Sequence, residues 1–448
     1  MLAKFFYIIL LSLLLGCSSN EEIDLSQYVS INDRVLNLNF VNEKNKNDSL
    51  LEEPTTIKNI YNPENYQSVN ALVDFPLEKI WEIDTNQSVD DKNPLLPKPI
   101  FISSNIYLLT NNGYLFKISG ETGKVIQKKL VFSNLENTII GTPALSAKSS
   151  KNGKNILYLH NGFDELVAIN EVSGNKIWSK KFNLPLRGGI TVTQNLVLLS
   201  DFEGNFYSIN NETGEIIWST FLANDSSSIY TSARPILARD KIIVPGTGGA
   251  FFVISKDVGE ILWTENISSN KNLPKLFHTG DIVANPIYDD GIFYVVSQSG
   301  ITVAFDINTS EELWSVPVGG FETPSFSGGS LIINGNMGHL VAVDVKTGDV
   351  RWQRKFPQYI NEDSYFSDKE FALYKGPTLV NSHILFSNQN GKVMIINANT
   401  GEDKGFILVD KLATSPIPAD KNVFFLTAKG KLIAYKWINS NITSLKND

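Results

Sequence analysis

The sequence predicts an all-β fold, an eight-bladed β-propeller of repeated units whose ring is closed by an N-terminal strand. Three observations support this prediction. A short phrase recurs along the chain at a period of about 40 to 50 residues, which is typical of repeat architectures. Each copy divides into four short strands, as in a propeller blade. A strand-like segment with a tryptophan precedes the first complete copy, whereas the last copy lacks one.

The recurring phrase starts with glycine and an alternating apolar run that ends in Asp or Asn, and then passes through Thr-Gly to a tryptophan. Its clearest copies are residues 204–218 and 338–352. The tryptophans are Trp178, Trp218, Trp263, Trp314 and Trp352, with spacings of 40, 45, 51 and 38 residues. Each stands four residues after the turn glycine, or after Ser310 in one copy. Two further copies have Gln127 and Gly405 instead of tryptophan, and an eighth begins at Gly430.

The sixth copy shows the four predicted strands of a blade. Pro324-Ser-Phe begins the inner strand, and residues 330–334, 339–343 and 350–353 form the second, third and outer strands. Short β-branched and aromatic runs bounded by Gly, Asn and Asp are typical of strands joined by tight turns. The recurring tryptophans are interpreted as packing between adjacent blades, because large aromatic side chains dominate such contacts. A ligand site lined by tryptophans would not repeat with the blade.

Ring closure is predicted from the two ends of the repeat region. The eighth copy, 430–435, has no Thr-Gly-Trp after it, but Leu77-Glu-Lys-Ile-Trp81-Glu-Ile matches an outer strand. We expect this segment to pair beside Leu432 to Tyr435, which leaves no unprotected edge between the first and last blades. The propeller then spans residues 75–438, about 45 residues per blade, and residues 439–448 are a C-terminal tail.

The N-terminus resembles a bacterial lipoprotein signal. Lys4 precedes an apolar run of 11 residues, Phe5 to Leu15, which is shorter than the about 20 residues that span a bilayer. Leu14-Leu15-Gly16-Cys17 resembles a lipobox, in which Cys17, the single cysteine of 448 residues, carries palmitate after cleavage. The alternative is an ordinary signal peptide with an incidental cysteine. Ser18-Ser19 resembles the sorting pattern of outer-membrane lipoproteins, so residues 1–17 are the expected signal peptide and lipobox.

Residues 18–74 are predicted to be a polar periplasmic tether. Segments such as 18–22 and 41–49 are polar and contain few core-forming residues, which favours disorder. One island, Arg34-Val-Leu-Asn-Leu-Asn-Phe-Val41, alternates like a strand. It is expected either to pack on the flank of the propeller or to dock on another subunit.

The sequence offers no recognisable catalytic, metal or cofactor constellation. Its four histidines, His160, His278, His339 and His383, lie in different repeats and lack the spacing of metal ligands. The net charge of −8 argues against a nucleic-acid partner, which requires a basic surface. The prediction is therefore a non-enzyme without catalytic residues, cofactor or metal. Because propeller enzymes assemble their sites from distant loops, a small-molecule enzyme remains the alternative.

The blade phrase resembles the PQQ-type propeller repeat from Phe75 to Ile438. One branch of that family comprises quinoprotein dehydrogenases, which hold pyrroloquinoline quinone and calcium and often carry a disulfide of adjacent cysteines. The single cysteine of this chain cannot form one. The other branch is the BamB family of outer-membrane lipoproteins, which combines a lipobox, a tether and a bare eight-bladed propeller. The chain resembles this second branch more.

A local motif strengthens the resemblance. The BamB family carries Leu-x-Leu-Arg-Gly before an inner strand, and this chain has Leu184-Pro-Leu186-Arg187-Gly188 there. The resemblance implies that these residues contact the POTRA domains of BamA, with the two leucines as an exposed apolar anchor in an inter-blade loop and Arg187 as a donor fork. The alternative is that Leu184 and Leu186 pack beneath the loop.

The family also has an Asp-x-Asp element near the same surface. Asp281 matches its first acid, whereas Val283 replaces the second. The resemblance as a whole implies a scaffold of the β-barrel assembly (BAM) complex, lipid-anchored at the periplasmic face of the outer membrane. It also implies contacts with unfolded outer-membrane protein clients. The alternatives are a quinoprotein dehydrogenase or other small-molecule propeller, and a lipoprotein subunit of a different envelope complex.

Overall fold

The computed structural model describes residues 77–89, 96–133, 142–149, 154–222, 233–267, 281–336, 338–359 and 371–437. Within these ranges, 32 strands form eight antiparallel sheets of four strands each, which confirms the eight-bladed propeller. Among the same residues, no helix has the length and apolar content to cross a membrane. The predicted signal peptide with Cys17, the tether, the 34–41 island and the C-terminal tail lie outside the described residues.

The strands follow one another with short connections inside each blade. In chain order they are β1 Leu77–Asp84, β2 Ile100–Ile102, β3 Asn105–Leu109, β4 Tyr114–Ser119, β5 Val125–Leu130, β6 Ala144–Lys148, β7 Ile156–His160, β8 Glu165–Asn170, β9 Lys176–Lys181, β10 Leu186–Val192, β11 Leu196–Asp201, β12 Asn205–Asn210, β13 Ile216–Phe221, β14 Ile236–Ala238, β15 Lys241–Pro245 and β16 Ala250–Ser255. The remaining strands are β17 Ile261–Asn266, β18 Ile287–Asp289, β19 Ile292–Ser297, β20 Ile301–Asp306, β21 Glu312–Val316, β22 Ser325–Ser327, β23 Ser330–Gly335, β24 His339–Asp344, β25 Val350–Lys355, β26 Lys375–Val380, β27 His383–Ser387, β28 Lys392–Asn397, β29 Asp403–Leu408, β30 Ile417–Ala419, β31 Asn422–Leu426 and β32 Lys431–Trp437.

The antiparallel order of the strands defines two faces of the ring. The loop face carries the connections between blades and the turns between second and third strands. The turn face carries the turns between first and second strands and those between third and fourth strands, which contain the Thr-Gly pairs. The first blade consists of β2 to β5, the second of β6 to β9, and so on to the seventh, β26 to β29. The predicted strands of the sixth blade are confirmed as β22 to β25.

The ring is closed by the N-terminal strand, as predicted. The eighth sheet has the order β1-β32-β31-β30, so β1 is its outer strand. Ile83 pairs with Leu432 and Lys79 with Tyr435 in antiparallel register. Because β1 enters from the turn face and β32 ends there, both chain termini leave the propeller on that face.

The tryptophans of the outer strands join neighbouring blades, which confirms their interpretation. The indole Nε1–H of Trp178 donates to the backbone carbonyl of Asn211 in the next blade at 3.1 Å. The same bond, to the residue three positions before the turn glycine, is made by Trp81 to Gly120, Trp218 to Lys256, Trp314 to Val345 and Trp352 to Ala398. Each ring lies directly on that glycine.

A small residue lies opposite each tryptophan that makes this bond and leaves room for the ring, whereas Trp263 pairs with Val253. Trp178 pairs with Ala168, Trp218 with Ser208 and Trp314 with Ala304 on the adjacent third strand. A register shift follows each of these pairs, and such bulges increase local twist and redirect side chains. Where the tryptophan is missing, the small residue is missing too, because Lys117 pairs with Gln127 and Ile395 with Gly405.

The junction between the fourth and fifth blades differs from this pattern. It has Ser310 at the glycine position, in the left-handed region with φ 63°. Lys241 Nζ, rather than the indole of Trp263, donates to the carbonyl of Ile307 at 2.7 Å. Trp263 packs instead among Phe251, Phe293 and Phe305, at ring-centroid distances of 5.1 to 6.0 Å. The aromatic cluster takes the place of the hydrogen bond at this junction.

Candidate partner-binding site

The Leu-Pro-Leu-Arg-Gly segment lies at the loop face where the second blade leads into the third. Backbone bonds fix it on both sides, since Leu186 N–H donates to Phe163 O at 2.6 Å and Phe202 N–H donates to Pro185 O at 2.9 Å. Leu184 and Pro185 are half-buried. The accessible part of the motif is therefore its first two residues.

The expectation that Leu186 is an exposed anchor in a loop is wrong. Leu186 is the first residue of the inner strand β10 and is 0% exposed. It packs in the core between the second and third blades with Tyr158, Phe182 and Leu199. The spacing of Leu184 and Leu186 around a proline does not reveal where the strand begins. Because β10 already begins at Leu186, this side chain lies in the core and not in a loop.

Arg187 is also on β10 rather than in a loop, and it is 7% exposed. Its guanidinium lies 5.9 Å from the centroid of the Phe202 ring. Burial lowers the pKa of Arg187 below its ordinary value, and the carboxylate of Asp281 opposes that shift by favouring the charged form. Arg187 is thus a buried residue that lies beside Phe202 and interacts electrostatically with Asp281.

Asp281 comes from the start of the fifth blade and is 3% exposed. Its Oδ1 accepts a hydrogen bond from Gly248 N–H of the fourth blade at 2.8 Å. Its backbone carbonyl accepts from Gln298 N–H at 3.2 Å. The structure therefore brings Asp281 and Arg187 into electrostatic contact across three blades, although 94 residues separate them in the chain. Thr279 and Gly280, which precede Asp281, lie outside the described residues.

Sequence reasoning missed His160, which braces the same segment from the second blade. Its Nε2 lies 2.7 Å from the carbonyl of Gly188, and Gly162 N–H donates to its Nδ1 at 3.0 Å. This pair of contacts requires Nε2–H and an unprotonated Nδ1, hence a neutral ring. Burial lowers the pKa of His160 to about 4, although the bond to Gly188 favours the protonated form. A lone histidine gives no signal of this role in the sequence.

The polar side chains of this segment are engaged with the protein itself. His160 uses both ring nitrogens for backbone contacts, and Arg187 and Asp281 are held by their neighbours. Among the described residues, no group of three or more His, Cys, Asp or Glu residues is placed to hold a metal ion. A cavity of about 700 Å³ opens on the turn face beside Trp218, Arg239 and Tyr288, and none of the four predicted site residues lines it.

Comparison with known proteins identifies related chains. The sequence model of a family described as outer membrane protein assembly factor BamB matches residues 78–354 and 323–443. An outer membrane protein assembly factor BamB of Yersinia pestis is 20% identical over 372 residues, which cover 81% of this chain and 89% of that protein.

Solved structures of two functional branches share the fold. The crystal structure of BamB from Moraxella catarrhalis superposes with a TM-score of 0.65 at 16% identity, covering 81% of this chain and all of the other. A europium-containing methanol dehydrogenase reaches a TM-score of 0.63 at 11% identity, covering 85% of this chain and 99% of the enzyme. At these identities the structural similarities show the propeller fold alone.

Proposed function

The chain belongs to the family of outer membrane protein assembly factor BamB, and from this premise we propose that it is a non-catalytic periplasmic scaffold for the assembly of outer-membrane β-barrel proteins. The observation that carries the proposal is the braced segment at the loop face. The hydrogen bonds of Leu186 N–H to Phe163 O and of Phe202 N–H to Pro185 O fix Leu184 and Pro185 at the surface, and His160 holds Gly188 just after them. A rigid, accessible contact of this kind suits a docking scaffold.

The proposed anchor would join the propeller on the face opposite the proposed contact surface. Lipidation of Cys17 would attach the protein to the outer membrane at its periplasmic face, and residues 18–74 would act as the tether. That tether would reach the propeller at Leu77, where β1 enters from the turn face. The loop face is then free to bind a partner while the protein stays anchored. Replacement of Cys17 by Ser should abolish palmitate incorporation and leave the signal peptide uncleaved.

The proposed partner is BamA, bound through its POTRA domains. Leu184 would be the direct apolar contact, because it is the more accessible of the two leucines. Arg187 and Asp281 would add charge and hold the geometry, and Leu186 would support the segment from the core. Unfolded outer-membrane protein clients would bind weakly along the outer strands by β-augmentation. Those strands expose apolar side chains such as Phe221 and Leu408.

Co-purification of BamA from detergent-solubilised membranes tests the proposal. Leu184→Ala should weaken BamA binding about tenfold or more, as expected for a central contact. The matched control is Leu262→Ala, which truncates a leucine that is 49% exposed on the outer strand β17, away from the loop face. Both variants should keep the melting temperature of the wild type.

Two outcomes would contradict the proposal. If wild type, Leu184→Ala and Leu262→Ala bind BamA equally well, the Leu184 segment is not the BamA contact. Absence of BamA from the purified complex, together with a quinone chromophore and oxidation of an alcohol by the protein, would favour the quinoprotein alternative.

A further inference from the structure

The cavity of about 700 Å³ on the turn face is lined by turns of the third, fourth and fifth blades. Its volume lies within the range that is usual for sites of small molecules. Every turn of these three blades on that face belongs to the described residues. The two ends of the chain join the described ring at the eighth blade, which stands opposite the fourth. The walls that blades 3 to 5 provide are therefore known residue by residue.

Part of the cavity wall is apolar. Leu196, Trp218 and Leu237 line it, are half-buried, and pack against the core between the third and fourth blades. The indole of Trp218 is fixed in place, since its Nε1–H donates to Lys256 O at 3.0 Å. Tyr288 of the fifth blade adds a second half-buried aromatic ring to the wall. The cavity thus offers a preformed apolar surface to a ligand.

Arg239 differs from the rest of the wall in its backbone conformation. It is the first residue of the turn between β14 and β15, and its φ is 60°. The same turn position also has a positive φ in five other blades, where small or short polar residues occupy it: Ser103, Asp290, Gly328, Asn381 and Asp420. Among the eight described non-glycine residues with positive φ, Arg239 alone has a long side chain. Such a residue is disfavoured there, and local strain of this kind indicates a functional role for the side chain.

The charged groups of the described wall are two cations and two carboxylates. Lys256 and Asp257 offset one another, because Lys256 Nζ lies 3.9 Å from Asp257 Oδ1. The guanidinium of Arg239 and the carboxylate of Asp290 both line the cavity, and neither has a hydrogen bond or ion pair within the described residues. They do not pair with each other either, although they occupy equivalent turns of adjacent blades. The cavity therefore presents one cation and one anion, set apart, to a ligand.

We propose that this cavity binds a short peptide of two or three residues that has free termini and an apolar side chain. Its terminal carboxylate would accept charge-assisted hydrogen bonds from Arg239, and its terminal ammonium would donate to Asp290. Each further residue moves the termini about 3.3–3.6 Å apart in an extended chain, so a short peptide reaches both charged groups better than a single amino acid. The apolar side chain would lie on Trp218 and Leu237. The site is independent of the proposed BamA contact, which lies on the opposite face.

Isothermal titration calorimetry of the full-length protein at low ionic strength tests this proposal. The probes are the tripeptide alanyl-phenylalanyl-alanine, its C-terminal amide and its N-acetyl derivative. Wild type should bind one equivalent of the free tripeptide, and either blocked form about tenfold more weakly, because a charged contact is lost. Arg239→Asn should bind the free tripeptide and the amide equally weakly, since the partner of the carboxylate is already absent. Asp290→Asn should bind the free tripeptide and the N-acetyl derivative equally weakly for the corresponding reason.

The control is Lys421→Gln, which removes a positive charge from the equivalent turn of the eighth blade, between β30 and β31. It should bind all three probes like wild type. Asparagine accepts a positive φ, so Arg239→Asn should fold and should raise the urea midpoint by relieving the strain. The proposal is overturned if wild type does not bind the free tripeptide, if Arg239→Asn binds it as tightly as wild type, or if amidation weakens binding to Arg239→Asn as much as to wild type. A urea midpoint of Arg239→Asn below that of wild type would also overturn it.

Discussion

The indole ring of Trp178 lies on Gly214 of the next blade so closely that no β-carbon fits between them. A β-carbon at Gly214 would stand 2.7 Å from the ring atoms. The same ring donates its Nε1–H to the carbonyl of Asn211, three residues earlier in that turn. Contact and hydrogen bond together dock the outer strand on the next blade wherever such a tryptophan meets the turn glycine. This relationship explains why tryptophan and glycine recur together in the blade phrase.

Replacement of Gly214 by Ala should therefore cost more stability than the backbone alone requires. Gly214 has φ +77° and Gly291 has φ +89°, but the nearest side-chain atom to a β-carbon at Gly291 is 3.9 Å away. Gly291→Ala should destabilise by about 1–2 kcal/mol from the left-handed conformation. Gly214→Ala should exceed it by about 1 kcal/mol or more, because the indole must move. Urea unfolding midpoints of the two variants check this prediction. Equal losses of stability in Gly214→Ala and Gly291→Ala would show that the indole moves aside at no cost.

Ring closure by β1 predicts a sharp difference between two truncations. Deletion of residues 18–70 should leave the melting temperature unchanged, because the described propeller begins at Leu77. Extension of the deletion through Asp84 removes the pairing with β32 and the contact of Trp81 with Gly123, so the melting temperature should fall severely. A synthetic peptide of residues 77–84 should restore part of the loss. Equal melting temperatures of the two truncations would disprove closure by this strand.

The neutral state of His160 makes stability depend on pH. Its folded pKa is about 4, whereas an unfolded histidine has the ordinary value of 6.5. The unfolded state therefore binds the proton first, and stability is lost as pH falls from about 6.5 to about 4. This histidine alone would contribute about 3 kcal/mol to the loss. The free energies of unfolding by denaturant at pH 7 and at pH 4 measure this loss of stability.

Carboxylates with lowered pKa values act in the same direction, so a variant has to isolate the contribution of His160. His160→Gln should be less stable than wild type at pH 7 and should lose less stability on acidification. Parallel profiles for wild type and His160→Gln would refute the buried, neutral state.

The buried position of Leu186 predicts a structural role that can be separated from partner binding. Leu186→Ala should destabilise the propeller by about 2–5 kcal/mol, as is usual for a large-to-small change in a core. Leu184→Ala should stay within about 0.5 kcal/mol, because its side chain is half-buried outside the core cluster. Denaturant midpoints compare the two variants. If Leu186→Ala unfolds at the same denaturant concentration as wild type, Leu186 is not buried in the core as the structure shows.

The amino-acid sequence by itself determined the blade architecture, the number of blades and the closing strand. These features follow from local chemistry that repeats: alternating apolar residues set the strands, glycines with positive φ set the turns, and tryptophans mark the outer strands. Trp81 without a preceding Thr-Gly was enough to identify the closing strand, because the last copy lacked its own.

Only the tertiary structure decided which side chains share a site. Whether Leu186 faces the core depends on the register in which β10 pairs with β11, because a shift of one residue in that register turns a side chain to the other face. The contacts of His160 with Gly188 and of Arg187 with Asp281 join different blades. Such pairs depend on the angular position of each blade in the closed ring, which no local pattern encodes.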